Sequence, residues 1–355
     1  MTMPIHPPSW SQGNQVSATA RSVSPEHFMT TVKALKLALP SAVIESVSGQ
    51  VTHLQRQSAY QRIALTEMDE LVTDLLHAVG DPLLLVRAYA GLNYQAGFLR
   101  KTYLASAFTR RDALVLLCRY FKVNNEGVAL ALGGEGDACV LSVAAAGRSA
   151  AACLQRDAIV YGLTRTLLSL GINEIQHVSL AYTPDAQVQQ DYRTLFPVKV
   201  LFDGPGQAQI HIGQGSLDLP LGWPSCSVEQ IARRERHLMR LNPEPEWCDS
   251  VMALLPLLCR QGDVDIDQCA ALLAVSRRTL QRNVQREGAA FRGLIERARK
   301  QQAQRYLLQG YSLDAVAALL GYRQSAQFYR AFRQWFGCSP THYRSAQLSQ
   351  SAINS

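Results

Sequence analysis

One pattern occurs twice near the end of this 355-residue chain, and it limits what the chain can fold into. The first copy places Ile266, Cys269, Ala270 and Leu273 at i, i+3, i+4 and i+7, which is one face of a short helix. A turn, Ala274-Val275-Ser276, follows, and then a second helix with Leu280 and Val284 on its apolar side. The second copy repeats this with Leu313, Val316, Ala317 and Leu320, the turn Gly321-Tyr322-Arg323-Gln324, and Phe328 and Phe332. Ile266 and Leu313 stand 47 positions apart. Two helices joined by a short turn, each apolar on one side, read as a helix-turn-helix. Two such units in tandem read as a double DNA reader.

The faces opposite the apolar stripes agree with that reading. In the first copy Arg278, Gln281, Arg282 and Gln285 recur at helical spacing on the outward side. Arg pairs bidentately with guanine edges and Gln with adenine edges in the major groove. In the second copy the outward positions are Ala326, Tyr329, Arg330 and Arg333, with Gln324, Ser325 and Gln327 at the helix start. This face is less basic and predicts a less stringent readout. Arg278, Gln281 and Arg282 are the expected base contacts in one groove, and Gln324, Ser325, Gln327 and Arg330 in the next. Arg277 and Arg333 are expected phosphate contacts, which position a reader without specifying sequence. Two structural alternatives stand beside this. The polar faces are ordinary solvated helix surface, or Arg282 and Arg330 anchor their helices through internal hydrogen bonds.

The same residues resemble the C-terminal domain of AraC/XylS-type transcription regulators. Ala270, Ser276, Arg277, Thr279-Leu280, Arg282, Gly288 and Phe291 carry the likeness in the first copy. Ala317, Leu320-Gly321-Tyr322, Phe328, Arg330-Ala331-Phe332, Trp335-Phe336-Gly337, Ser339-Pro340 and Tyr343-Arg344 carry it in the second. Ala326 departs from the family, whose members often have a larger polar side chain there. The resemblance implies a linking helix, Phe291 to Leu308, that holds the two units about one DNA turn apart. It also implies double-stranded DNA and RNA polymerase as partners, and activation as the usual outcome.

The charge distribution bears on partners more than the net +7 does. From Gln261 onward there are 13 Arg and Lys against 6 Asp and Glu, and the rest of the chain balances at 22 of each. The whole excess therefore lies in the proposed reader, where it attracts phosphate in a salt-dependent way. Membrane binding is not expected, because the cations do not line one long amphipathic helix. No apolar run is long enough to span a bilayer, and no signal peptide opens the chain, so a cytoplasmic protein is expected. The eight cysteines form no CxxC pair and read as buried reduced thiols. The histidines show no metal spacing and no dinucleotide fingerprint occurs, so neither metal nor cofactor is expected.

The rest of the chain changes texture along its length. Residues 1–24 read as a disordered tail. Helices are predicted over Pro25 to Val47, interrupted at Pro40, then over Leu65 to Val79 with a stop at Gly80-Asp81-Pro82. Further helices are predicted over Leu83 to Ala107 and over Arg111 to Phe121, the latter capped by Thr109. Val128 to Leu132 and Cys139 to Val143 read as a hairpin around Gly133-Gly134-Glu135-Gly136-Asp137. A helix over Ala151 to Leu170 follows, then a strand His177 to Tyr182, a helix Asp185 to Phe196, and strands Val198 to Phe202 and Ala208 to Ile212. Leu217 to Leu221 is predicted extended. Pro243 and Pro245 mark a linker, and Trp247 to Arg260 is the first helix of the reader.

This half is similar to the arabinose-binding-type sensor of some AraC/XylS regulators. Gly80-Asp81-Pro82, Ser179-Leu180-Ala181, Pro197-Val198-Lys199-Val200 with Phe202, and Leu217-Asp218-Leu219-Pro220 carry that likeness. It implies a small-molecule effector of unknown identity and a possible homodimer. The expected architecture is an α+β N-terminal sensor domain followed by an all-α domain with two helix-turn-helix motifs joined by a linking helix. The expected boundaries are 25–240 for the effector-binding and dimerisation domain, 246–345 for the DNA-binding domain, and a tail over 346–355. Two other functions remain open on the sequence. One is an enzyme fused to a DNA reader, although no catalytic constellation is visible. The other is a constitutive DNA-binding regulator whose N-terminal half only oligomerises. The apolar helices at 83–107 and 151–170 could line a pocket or be plain core, and core is preferred.

Overall fold

The computed structural model describes residues 21–353 apart from short stretches at 59–60, 95–103, 105–106, 108, 136–137, 146, 148, 203–206, 216, 220, 222–225 and 243–244. The chain forms two compact units, Met1–Trp223 and Pro224–Ser355.

The first unit opens with strand β1 (Ser22–Val23), so the expected tail reaches into the fold, and its residues 1–20 lie outside the described residues. Helix α1 (Pro25–Ala38) starts at Ser24, whose hydroxyl accepts the His27 N–H. Pro40 ends the helical path of α1 and begins α2 (Ser41–Ser46), with α3 (Ser48–Ser58) behind it. β2 (Ile63–Ala64) pairs antiparallel with β1. α4 (Leu65–Val79) lies where its periodicity predicts and closes at Gly80, φ 69°. The apolar run after Pro82 gives a shorter helix than expected. α5 spans only Leu84–Ala90, because the chain turns out of the helix at Gly91 and Leu92, and 95–103 lie outside the described residues. α6 (Arg110–Asn124) has the expected Thr109 cap, with the Asp112 carboxylate accepting the Thr109 N–H in return.

A five-stranded sheet follows: β3 (Val128–Glu135), β4 (Ala138–Ala145), then, beyond helix α7 (Ala150–Ser169), β5 (Ile175–Leu180), helix α8 (Ala186–Leu195), β6 (Val200–Phe202) and β7 (Ala208–Gly213). The strand order is β3-β4-β7-β5-β6, antiparallel except for the β5–β6 edge pair. The hairpin strands run on through Gly133 and Gly134, which pair with Val140 and Cys139, so the strands are longer than expected. Leu217 to Leu219 is turned rather than extended, and Pro220 lies outside the described residues. The Leu217 and Leu219 carbonyls accept the N–H groups of Arg111 and Arg110, and Asp218 pairs with Arg111 at 2.8 Å.

One core holds Phe28, Leu71, Tyr161, Val178, Ile210 and Leu141. Helix α7 is buried around most of its circumference, and α5 is likewise buried, so these two helices are mainly core, while 95–103 and 105–106 of the first apolar stretch lie outside the described residues. Being buried, α7 pairs its charges internally. Arg156 and Asp157 meet at 2.8 Å, and the Tyr192 hydroxyl donates to Asp157 at 2.8 Å.

The second unit is all helical: α9 (Val228–Leu241), α10 (Trp247–Gln261), α11 (Ile266–Leu272), α12 (Arg277–Arg286), α13 (Phe291–Leu308), α14 (Leu313–Leu319), α15 (Ser325–Phe336) and α16 (Pro340–Ile353). Two boundaries differ from expectation. Helix α9 falls inside the expected 25–240 domain, yet Val228, Ile231 and Ala232 share a core with Val251, Leu254, Cys269 and Leu280. The prolines at 243 and 245 therefore break the chain between two helices of one unit. Ser227-x-x-Gln230 is a capping box, and Val228, Ile231, Ala232 and Leu238 keep helical spacing, so the signal for α9 was present. At the other end the expected tail 346–355 is helical as far as Ile353. All eight cysteines are buried or half-buried, and no helix among the described residues is long and apolar enough to cross a membrane.

Candidate nucleic-acid interface

The two copies are alike down to the turns. Each is fed by a long helix that ends at a glycine with positive φ, Gly262 (125°) after α10 and Gly310 (83°) after α13. Each short helix is capped by an acceptor side chain, Asp265 for α11 and Ser312 for α14. The residue that bends the chain into the second helix is left-handed in both, Ala274 at φ 56° and Gly321 at φ 77°. They are not interchangeable. A Cβ at Gly321 would lie 2.2 Å from the Cys259 carbonyl oxygen, so the second turn needs glycine for close approach as well as for φ. The second helices, α12 and α15, exit at left-handed Gly288 and Gly337.

Helix α12 buries Leu280 and Val284, and α15 buries Phe328 and Phe332. That leaves Arg277, Arg278, Gln281, Arg282 and Gln285 exposed on α12. On α15 and its N-cap the exposed residues include Gln324, Ala326, Gln327, Tyr329, Arg330 and Arg333. Ser325 stands apart from that set. It is half-buried, and its hydroxyl donates to Asp314 at 2.6 Å. Arg277 occupies the equivalent first position of α12 and donates to Asp267 at 2.6 Å. In both copies, then, the second helix starts tied to an aspartate on the first.

The six acids from Gln261 onward are engaged with internal partners. Asp267 and Asp314 hold the helix starts just described, Asp265 caps α11, and Asp263 meets Arg323 at 3.3 Å. Glu296 accepts from the Trp335 indole at 2.9 Å. Glu287 accepts the N–H groups of Trp247 and Cys248 at 2.7 and 2.8 Å, capping α10 from the far end of α12. Against these six acids, Arg278, Arg282, Arg330 and Arg333 are exposed, and no internal hydrogen bond or ion pair to them occurs among the described residues. The anchoring alternative for Arg282 and Arg330 therefore has no contact to rest on.

Helix α13 fixes the two copies to one another. Leu294 and Ala298 sit in the core of the first copy. Ala303, Tyr306 and Leu307 sit in the core of the second. The resemblance implies this linking helix over Phe291 to Leu308, but not its contacts with its neighbours. Arg260 at the end of α10 donates twice to the Tyr306 hydroxyl, at 3.0 and 2.6 Å. Arg299 stacks over Tyr322, 5.1 Å from its centroid. Lys300 donates to the Trp335 carbonyl at 3.1 Å, at the end of α15. Such contacts join residues far apart in sequence and have no local signature.

Comparisons with known proteins now bear on the whole chain. Residues 46–221 match the family described as the arabinose-binding domain of AraC transcription regulators, N-terminal. Residues 269–346 match a helix-turn-helix domain family. The HTH-type transcriptional regulator VirS of Mycobacterium tuberculosis is 34% identical over 126 residues, 35% of this chain, and that match spans only 37% of VirS. The ornithine utilization regulator of Pseudomonas aeruginosa is 27% identical over 294 residues, 80% of this chain and 85% of that one. In fold, the crystal structure of the transcriptional regulator CdpR from Pseudomonas aeruginosa superposes with a TM-score of 0.50 at 20% identity, over 78% of this chain and 91% of CdpR. VirS and CdpR are named as transcriptional regulators, and the third protein as a regulator of ornithine utilization. An arabinose-binding-type domain followed by this tandem reader places the chain in the AraC family of transcription regulators.

Proposed function

We propose that this regulator binds double-stranded DNA by setting α12 and α15 into successive major grooves on one side of the duplex. Arg278, Gln281 and Arg282 read base edges in the first groove. Gln324, Gln327 and Arg330 read the second, with Ser325 at the helix start contributing through its backbone, since its hydroxyl is held by Asp314. Arg277 and Arg333 contact phosphates, and Arg277 must exchange or share Asp267 to do so. One observation carries this reading: Arg278, Arg282, Arg330 and Arg333 are exposed and have no partner among the described residues, while the six acids from Gln261 onward are engaged internally. Such a surface has its strongest partner in a polyanion. In this reading the N-terminal unit binds a small-molecule effector and a second copy of the chain, and the protein activates transcription with RNA polymerase in the cytoplasm. The relative named for ornithine utilization supports a response to a small metabolite.

Selection from random duplex DNA with full-length protein, followed by footprinting on the selected site, tests the reader. Protection over two successive major grooves is expected. Selected sequences with no shared motif would remove base readout and leave a non-specific binder.

A further inference from the structure

The N-terminal unit contains a half-open cleft of about 50 Å³ between α4, the start of β3 and the first turns of α7. Its apolar wall comes from Leu65, Val128 and Ala152. Gly127 keeps the cleft narrow, since a Cβ there would lie 2.7 Å from Leu65. Three polar side chains reach it: Asp69, Asn125 and Gln155. Asn125 is already engaged at both ends, because its amide nitrogen meets His27 at 3.0 Å and its oxygen accepts the Gly127 N–H at 2.8 Å.

Gln155, buried to 7% exposure, donates its amide nitrogen to Asp69 Oδ1 at 2.6 Å. That bond orients the amide, since only the nitrogen can donate to a carboxylate. Gln155 Oε1 and Asp69 Oδ2 are then left as acceptors with no partner among the described residues. Neither atom is sealed from solvent. Among the described residues, no Arg, Lys or His lines the cleft. Burial pushes the Asp69 carboxyl above its ordinary value, with only the Gln155 hydrogen bond acting against it. A cleft that offers acceptors and one uncompensated carboxylate lacks a donor that carries positive charge. The first turn of α7 would favour an anion, but the carboxylate repels one.

We propose that this cleft binds a small organic cation, the primary ammonium head of an aliphatic amine, which donates to Asp69 Oδ2 and Gln155 Oε1. The space admits the head group and a methylene or two, with the remaining chain leaving through the open side. This deepens the effector reading above and rests on it for its regulatory meaning, since it names the ligand class of the N-terminal unit.

The test is thermal unfolding of the full-length protein with n-butylammonium chloride, against sodium chloride at equal ionic strength. Sodium butyrate and 1-butanol serve as isosteric controls. At about ten times its Kd the ammonium should raise Tm by about 3–6 °C, and neither control should. D69N retains an oxygen that accepts from Gln155 and should fold, but it should lose the shift. A152L, which fills the cleft and leaves the carboxylate in place, should lose it too. A flat Tm up to about 100 mM, well above a millimolar Kd, overturns the proposal. So does a shift shared with the alcohol or butyrate, or one that survives in D69N. DNA affinity measured with and without the ammonium separates the two readings. A Tm shift with unchanged DNA affinity upholds the cleft and removes its role as an effector site.

Discussion

Replacing Gly321 by alanine should disable the reader without touching any residue that faces DNA. At φ 77° an L-residue costs about 1–2 kcal/mol relative to its normal backbone. The added Cβ would also lie 2.2 Å from the Cys259 carbonyl and 3.1 Å from that of Gly262, both backbone atoms at the end of α10. Backbone cannot yield as a side chain does, so relieving the contact shifts α10 against the turn. Overpacking of this kind costs about 1–3 kcal/mol. The two terms together give about 2–5 kcal/mol, or roughly 10 °C or more in the melting of the C-terminal unit. The internal control is Ala274, which holds the same place in the first copy at φ 56°. Ala274→Gly exchanges left-handed strain for backbone entropy and should change stability by no more than about 0.5 kcal/mol. Both variants can be compared by urea unfolding followed through near-UV circular dichroism and through DNA affinity. If Gly321→Ala melts within a degree of the parent, the second turn is not packed against α10 as described, and the reasoning fails.

Arg282→Ala should weaken binding to the selected DNA by about 1–3 kcal/mol and flatten the preference at one base pair. Its Tm should move little, because Arg282 is exposed and unpaired; competition with single-base variants of the site measures both. Glu287→Gln weakens the cap on the Trp247 and Cys248 amides and should cost about 1 kcal/mol of stability, read from the denaturation midpoint. Burial holds the His27 imidazole down to about 4 in the folded chain, against 6.5 when exposed. The unfolded chain therefore binds the extra proton first as pH falls, and this stabilisation is present above pH 6.5 and lost between about 6.5 and 4. The full effect is on the order of 3 kcal/mol. Melts of the parent between pH 7 and 5 should decline more steeply than those of His27→Gln, and equal slopes would show that His27 is already charged or exposed.

The repeat was legible because its signals are local. Ile266 to Leu273 and Leu313 to Leu320 sit at helical spacing, and the outward arginines and glutamines occupy the complementary positions. The structure adds what spacing cannot carry. Ser325 looks like a base contact in sequence, but at the first position of α15 it is within reach of Asp314 on α14. That contact depends on the crossing of two helices. The same holds for Glu287, whose partners lie 40 and 39 positions earlier in the chain. Helix α9 was overlooked because the prolines at 243 and 245 read as a domain boundary, although its capping box and apolar stripe were present. The segment from Leu217 to Leu219 read as extended because its alternation is apolar–polar. What bends it is the pairing of Asp218 with Arg111, more than a hundred residues away. In the N-terminal unit the acceptor pair of Asp69 and Gln155 joins residues 86 positions apart and had no sequence signal at all.

The central claim is that two matched helices, α12 and α15, read DNA together. Its most direct measurement is hydroxyl-radical footprinting of the full-length protein on its selected site, repeated with Arg282→Ala and with Arg330→Ala. The account predicts two protected windows per reader, about one helical turn apart on one side of the duplex, and loss of base preference confined to one window by each variant. A single window, or a uniform loss of binding with base preference intact for both variants, would contradict it.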